Sequence, residues 1–260
     1  MPKGGLARRA TAIVQLRQEH ANVLLLDSGD SLFRGGVSTE LEDPGQGAWV
    51  IEAMNLMGYD AIAMGDRELQ ALLPVVQSRF EEAQFPILSA NVKVGSELPN
   101  VQPYFLHQTS GGHTVAIVGV TSEQAGQRLA ALGLDLVVQD PVAGVRQAVG
   151  EAAKSADIVI LLSNLKRSET EALAQAVPGI DVIIGIYEGG QRDPVAIPGA
   201  EGQVVLQASG ILGEYLGLLT LHFDEHGEVK SFEGRSLALT DRYEDDPQIV
   251  ELFRRYASKP

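Results

Sequence analysis

Residues 22–36 read NVLLLDSGDSLFRGG. Residues 23–26 are an uninterrupted apolar run, which breaks into a polar, glycine-containing loop carrying Asp27 and Asp30. So short and apolar a run reads as a strand buried on both faces. In open α/β sheets ligands sit just outside the carboxyl ends of such strands, which puts Asp30 where chemistry is expected. The plainer reading is that Asp27 and Asp30 make hydrogen bonds within the turn.

Helical and strand patterns alternate after this stretch and before it. Residues 4–20 put Leu6, Ala10, Ile13 and Leu16 on one face, with Arg8, Arg9 and Arg17 largely off it, which predicts a helix. A second helix is predicted over 44–58, where Trp49, Val50, Ala53, Met54 and Met57 form the apolar side and Gly58 ends it. A short strand over 60–64 runs into Gly65-Asp66-Arg67-Glu68. A third helix over 68–83, kinked at Pro74, and a strand over 86–90 follow. Residues 101–107 and 114–121 read as two strands joined at Gly111-Gly112, a hairpin signal. Asp140-Pro141 is an N-cap with proline at the first helical position, and Ser168 with Glu171 reads as a capping box. Residues 157–162 and 181–185 are apolar strands ending in polar loops. The last third is β-rich, with antiparallel strands over 204–207, 216–223 and 229–239 and a turn over 225–227. Asp246-Pro247 caps a terminal helix over 246–257. No linker, repeat or low-complexity segment divides the chain, so residues 1–260 read as one layered α/β domain with more than one sheet.

Composition removes several function classes. The chain has 260 residues, 45% of them hydrophobic, enough to bury a sizeable core. Its net charge of -14 argues against nucleic acid or an anionic membrane as the main partner. With no cysteine, disulfides, zinc–thiolate sites and cysteine nucleophiles are excluded. No apolar run approaches the ~18–20 residues of a membrane span. MPKGGLARRA has charge but no apolar region behind it, so it is not an intact signal peptide. The compartment stays open.

The order of the blocks carries a resemblance. GGLARRATAIVQLRQEHANVLLLDSGD, VIEAMNLMGYDAIAMGDRE, FPILSANV, PGIDVIIG and ASGILGEYLGLLTLHFD together closely resemble the metallophosphatase domain of the 5'-nucleotidase family, the calcineurin-like phosphoesterases. The resemblance runs from about Gly4 to the terminal helix. It implies a four-layer α/β/β/α sandwich with two divalent metal ions between strand-end loops, which clamp a phosphate and generate a hydroxide. Members of the family are often exported or periplasmic.

Taken position by position, the resemblance implies a degenerate site. The family places an Asp-x-His after its first strand, and this chain shows no counterpart of that strand. Gly29-Asp30 matches, with Asp30 at the place of the metal-bridging carboxylate. Gly65-Asp66-Arg67-Glu68 stands for Gly-Asn-His-Glu, so Asp66 replaces a ligand Asn and Arg67 the His that assists the leaving group. Asn164 replaces a ligand His. Gly185-Ile186-Tyr187-Glu188 stands for Gly-His-x-His, so Ile186 and Glu188 replace two more. Ile186 cannot bind a metal and Arg67 cannot give up a proton. Without imidazole ligands a zinc- or iron-type pair is implausible. His20, His107, His113, His222 and His226 all fall elsewhere, in surface or turn positions.

The expectation is therefore a domain that keeps the fold and has lost its catalysis, used for interaction or assembly with a protein partner or itself. No cofactor is expected. Arg67 is expected to pair with Asp30 and Glu188 in place of the metals. Two alternatives stand beside this. One is a weak or unconventional phosphoesterase or nucleotidase, with Asp30, Asp66, Asn164 and Glu188 as oxygen ligands for a hard cation. The other is a binder of phosphate or another small anion, held by Arg67 and Arg34. Omitting the first strand would leave an open sheet edge, and with it a tendency to self-associate. The substrate-binding domain that follows the terminal helix in nucleotidases of the family is expected to be absent here.

Overall fold

The computed structural model describes residues 4–33, 46–69, 71–93, 98–131, 133, 137–190, 192–210, 213–223 and 229–257. Two sheets face each other, with helices on both outer sides. The first sheet holds β1 (Leu26–Asp27), β2 (Ala61–Ala63), β3 (Ile87–Leu88) and β4 (Val101–Gln102), all parallel and in chain order. The second holds β5 (Tyr104–Gln108), β6 (Thr114–Val120), β7 (Ile158–Ser163), β8 (Val182–Gly185), β9 (Val195–Pro198) and β10 (Gln203–Gln207), in the order β5-β6-β7-β8-β10-β9. A hairpin of β11 (Tyr215–Phe223) and β12 (Val229–Ala238) pairs only with itself among the described residues.

The alternation of side chains assigns the layers. On β2, Ile62 and Met64 beyond it turn outward. There they meet α1 (Leu6–Glu19), α2 (Ala48–Met57), α3 (Leu73–Glu82) and α7 (Pro247–Ala257) through Ile13, Met54, Phe80 and Ile249. Ala61 and Ala63 turn inward and join Leu88, Ile117, Ile158, Ile160 and Leu162 between the sheets. Val159 and Leu161 of β7 face the other way, onto α5 (Pro141–Ala152) and α6 (Arg167–Ala176) through Val145, Val149 and Leu173. This is a four-layer α/β/β/α sandwich.

A polar seam runs through its centre. Thr121 Oγ1 lies 2.6 Å from Ser89 Oγ and donates to the Met64 carbonyl at 2.7 Å. Asn91 accepts from Thr121 N–H and donates to its carbonyl, both at 2.9 Å. Beside it, Ala90 N–H donates directly to Gly119 O at 2.8 Å. Each of these bonds joins one sheet, or the loop leaving it, to the other.

Several local expectations are corrected. Residues 23–26 do pack on both faces, Leu25 in the outer core and Leu24 and Leu26 against the core between the sheets, but only Leu25 is fully buried, and the strand proper is Leu26–Asp27, with no described strand pairing with its outer edge. The third helix does not begin at Glu68. A 3-10 turn over Arg67–Leu69 comes first, and Pro74 sits in the first turn of α3 rather than at a kink. Pro103 parts β4 from β5, and the chain changes sheets there. Ser168 lies inside α6; the box is closed instead by Glu169, whose carboxylate accepts the Lys166 N–H at 3.1 Å. Strand β10 is parallel to β8 and antiparallel to β9. Strand β9 and the helix α4 (Gln124–Ala131) went unforeseen. The predicted turn over 225–227 lies outside the described residues.

Candidate functional site

The loops that leave β1, β2, β7 and β8 converge. Asp30, Asp66, Arg67, Asn164, Ile186 and Glu188 line one cavity of about 580 Å³, together with Ser122, Glu123, Gln124, Arg128, Lys166 and Glu169. Arg34, the other anion candidate, lies outside the described residues. None of the described histidines lines this cavity.

The first wall is the 27–32 loop. Asp27 does what turn chemistry predicts: its Oδ1 accepts from Gly29 N–H at 2.9 Å and from the Ser31 hydroxyl at 2.8 Å. Asp30 has φ of 64°, a left-handed conformation that aspartate tolerates better than most residues. Its carboxylate accepts Arg67 N–H at 3.1 Å.

That loop is held by Glu68, a residue the sequence reading passed over as part of a motif. Glu68 is fully buried. Its Oε2 accepts the N–H groups of Asp30 and Gly65, each at 2.8 Å, and its Oε1 those of Ser31 at 2.6 Å and Leu32 at 3.2 Å. One carboxylate thus ties the loop after β1 to the turn after β2. Gly65 is required beside it. A Cβ there would stand 2.7 Å from Glu68 Oε2, 2.8 Å from Asn164 Nδ2 and against Asp30 Oδ1. The buried Asn164 closes the floor by donating to the Ser28 carbonyl at 3.1 Å.

Burial raises the Glu68 carboxyl to about 7, with the neighbouring Asp30 carboxylate adding to the effect. Burial, first, and Asp66 also raise Asp30. The folded protein therefore holds the Glu68 proton more tightly than the unfolded chain does. This contribution to stability is full below the unfolded value of 4.5 and is lost as pH rises towards 7. Urea midpoints are expected to fall between about pH 5 and about pH 8, by up to roughly 3 kcal/mol in unfolding free energy. Glu68→Gln should flatten the profile; a midpoint that rises over this window would contradict the assignment.

The charges at the mouth are mixed. Arg67 Nε lies 3.9 Å from Asp30 Oδ2, and Arg128 Nε of α4 lies 3.6 Å from Asp66 Oδ2. Among the described residues, Glu188 forms no ion pair with Arg67, contrary to expectation; it accepts the Arg167 N–H at 2.6 Å instead, at the start of α6. Ile186 presents hydrocarbon. Among the described residues, no three His, Cys, Asp or Glu side chains stand where they could hold a metal ion together. The donors present do not fit two divalent metals. Ile186 offers no ligand atom, the Arg67 guanidinium stands beside Asp30, and a second arginine engages Asp66.

No family model matches the chain. Human 5'-nucleotidase is 31% identical to it over 279 residues, covering 98% of this chain and 47% of the relative. The snake venom 5'-nucleotidase of Crotalus adamanteus is 31% identical over 267 residues, covering 95% and 45%. The chain thus spans about half the length of the curated relatives it matches. Among solved structures, the 5'-nucleotidase precursor from Thermus thermophilus superposes with a TM-score of 0.87 at 26% identity, over 98% of this chain and 53% of that one. A calcineurin-like phosphoesterase from Bacillus subtilis gives 0.75 at 23% identity, over 99% and 89%, a likeness of fold. Block order, layer architecture and these likenesses agree: the chain is a metallophosphatase domain of the 5'-nucleotidase family.

Proposed function

We propose that this domain does not hydrolyse phosphoesters and serves instead in interaction or assembly. The observation that carries the reading is the donor set of the cavity. Ile186 offers no ligand atom, Arg67 presents a guanidinium beside Asp30, and Asp66 already faces another. Fold alone does not bring activity with it. The assembly half is supported by two strand edges. The outer side of β1 and the outer side of β11 pair with no strand among the described residues, while Leu24, Leu26, Leu219, Leu221 and Phe223 remain half-buried beside them. Open edges of this kind take up further strands. The small-anion alternative has less support, since the cavity wall carries five carboxylates (Asp30, Asp66, Glu123, Glu169, Glu188) against three cations (Arg67, Arg128, Lys166).

Elemental analysis before and after incubation with excess manganese and zinc is the test, paired with turnover of a generic phosphoester. The expected result is no stoichiometric metal in either sample and no turnover. Close to two metals per chain, with hydrolysis, would replace this reading by the phosphoesterase one. Sedimentation over a wide concentration range tests assembly; a clean monomer throughout would count against it.

A further inference from the structure

We infer that Arg67 and Arg128 are resident counter-ions of the cavity, supplying in covalent form the positive charge that metal ions supply elsewhere in the family. The inference deepens the metal-free reading given above and rests on it.

Of the five carboxylates on the cavity wall, Asp30 and Asp66 come from the loops that follow β1 and β2. The Asp30 side chain is 24% exposed and that of Asp66 15%, so neither is fully solvated. Left alone, two such groups on facing loops would repel each other with little water to screen them. Each meets its own arginine. Arg67, from the same turn as Asp66, reaches back across to Asp30, hydrogen-bonding it through its backbone N–H at 3.1 Å and standing as its ion pair with Nε at 3.9 Å. Arg128 comes from a different element, α4, and reaches Asp66 at 3.6 Å. The two pairs cancel: two negative charges against two positive ones, the charge of one divalent ion. A guanidinium stays protonated throughout the physiological range, so the neutralisation is permanent and needs no ion from solution. The guanidinium side chains are 48% and 46% exposed, so replacing them empties the mouth of the cavity without opening the core.

The double variant Arg67→Ala/Arg128→Ala tests this, with Arg67→Lys/Arg128→Lys as the charge-preserving control. Thermal unfolding is followed in chelator at low salt and in molar sodium chloride. The alanine pair should melt about 4 °C below wild type at low salt and close most of that gap in molar salt, which screens the Asp30–Asp66 repulsion, while the lysine pair follows wild type in both. An alanine pair that melts with wild type at low salt, or whose deficit salt leaves unchanged, overturns the counter-ion role while leaving the metal-free reading intact. If wild type itself takes up stoichiometric metal, the metal-free reading fails, and this inference with it.

Discussion

Glu68→Ala is expected to cost about 4 kcal/mol or more of unfolding free energy, because four backbone N–H groups lose their acceptor at once. Asp30, Ser31, Leu32 and Gly65 all donate to this one carboxylate. A methyl group offers nothing in exchange, and the side chain is fully buried, so water cannot reach the orphaned donors without prising the loops apart. Domains have only about 5–15 kcal/mol in hand, so the variant should lose a large share of its stability and show a much lower urea midpoint. Glu68→Gln should fall between the two, since an amide keeps one acceptor oxygen but turns an NH2 towards other donors. A Glu68→Ala protein with the urea midpoint of wild type would show that the four N–H groups find other partners.

Gly119→Ala should be next in severity, at about 3 kcal/mol or more. Gly119 lies in β6, and β3 of the other sheet crosses against it. A Cβ there would fall on the carbonyl carbon and oxygen of Leu88 and 2.5 Å from its Cβ. Those are backbone atoms and the root of a side chain, which cannot turn aside. Either the sheets separate or the Ala90 N–H to Gly119 O bond stretches from its 2.8 Å. Urea unfolding would read the loss directly. A midpoint near that of wild type would mean that the sheets can part at this point without penalty.

Much of the fold was legible in the text because its signals are local. Asp140 and Asp246 cap helices as their positions next to proline announce: Asp140 accepts Ala143 N–H at 2.8 Å, and Asp246 accepts Gln248 N–H at 2.9 Å. The convergence of Asp30, Asp66, Arg67, Asn164 and Glu188 could be anticipated because each follows an apolar strand, and parallel strands deliver their ends to one side. What stayed hidden depended on contacts distant in sequence. Glu68 reads as a charged loop residue until its donors, some 36–38 positions earlier, are known. Arg128 was missed with its helix: α4 is short, its QAGQRLAA has few large apolar residues, and burial of Ala125 and Leu129 is what secures it. The sheet change at Pro103 leaves no mark in an apolar pattern, since strands of both sheets look alike there.

The seam of Ser89, Asn91 and Thr121 has a consequence for how such a domain ages. Two purely apolar faces could slide over one another and settle at several offsets; hydrogen bonds of fixed length admit one. Thr121 Oγ1 reaches the Met64 carbonyl, one residue before the turn that carries Asp66 and Arg67. The spacing of the loops is thus dictated from inside the protein and not by whatever they hold. A mouth whose outline is set from within can accept changes of its lining side chains one at a time and still keep its shape.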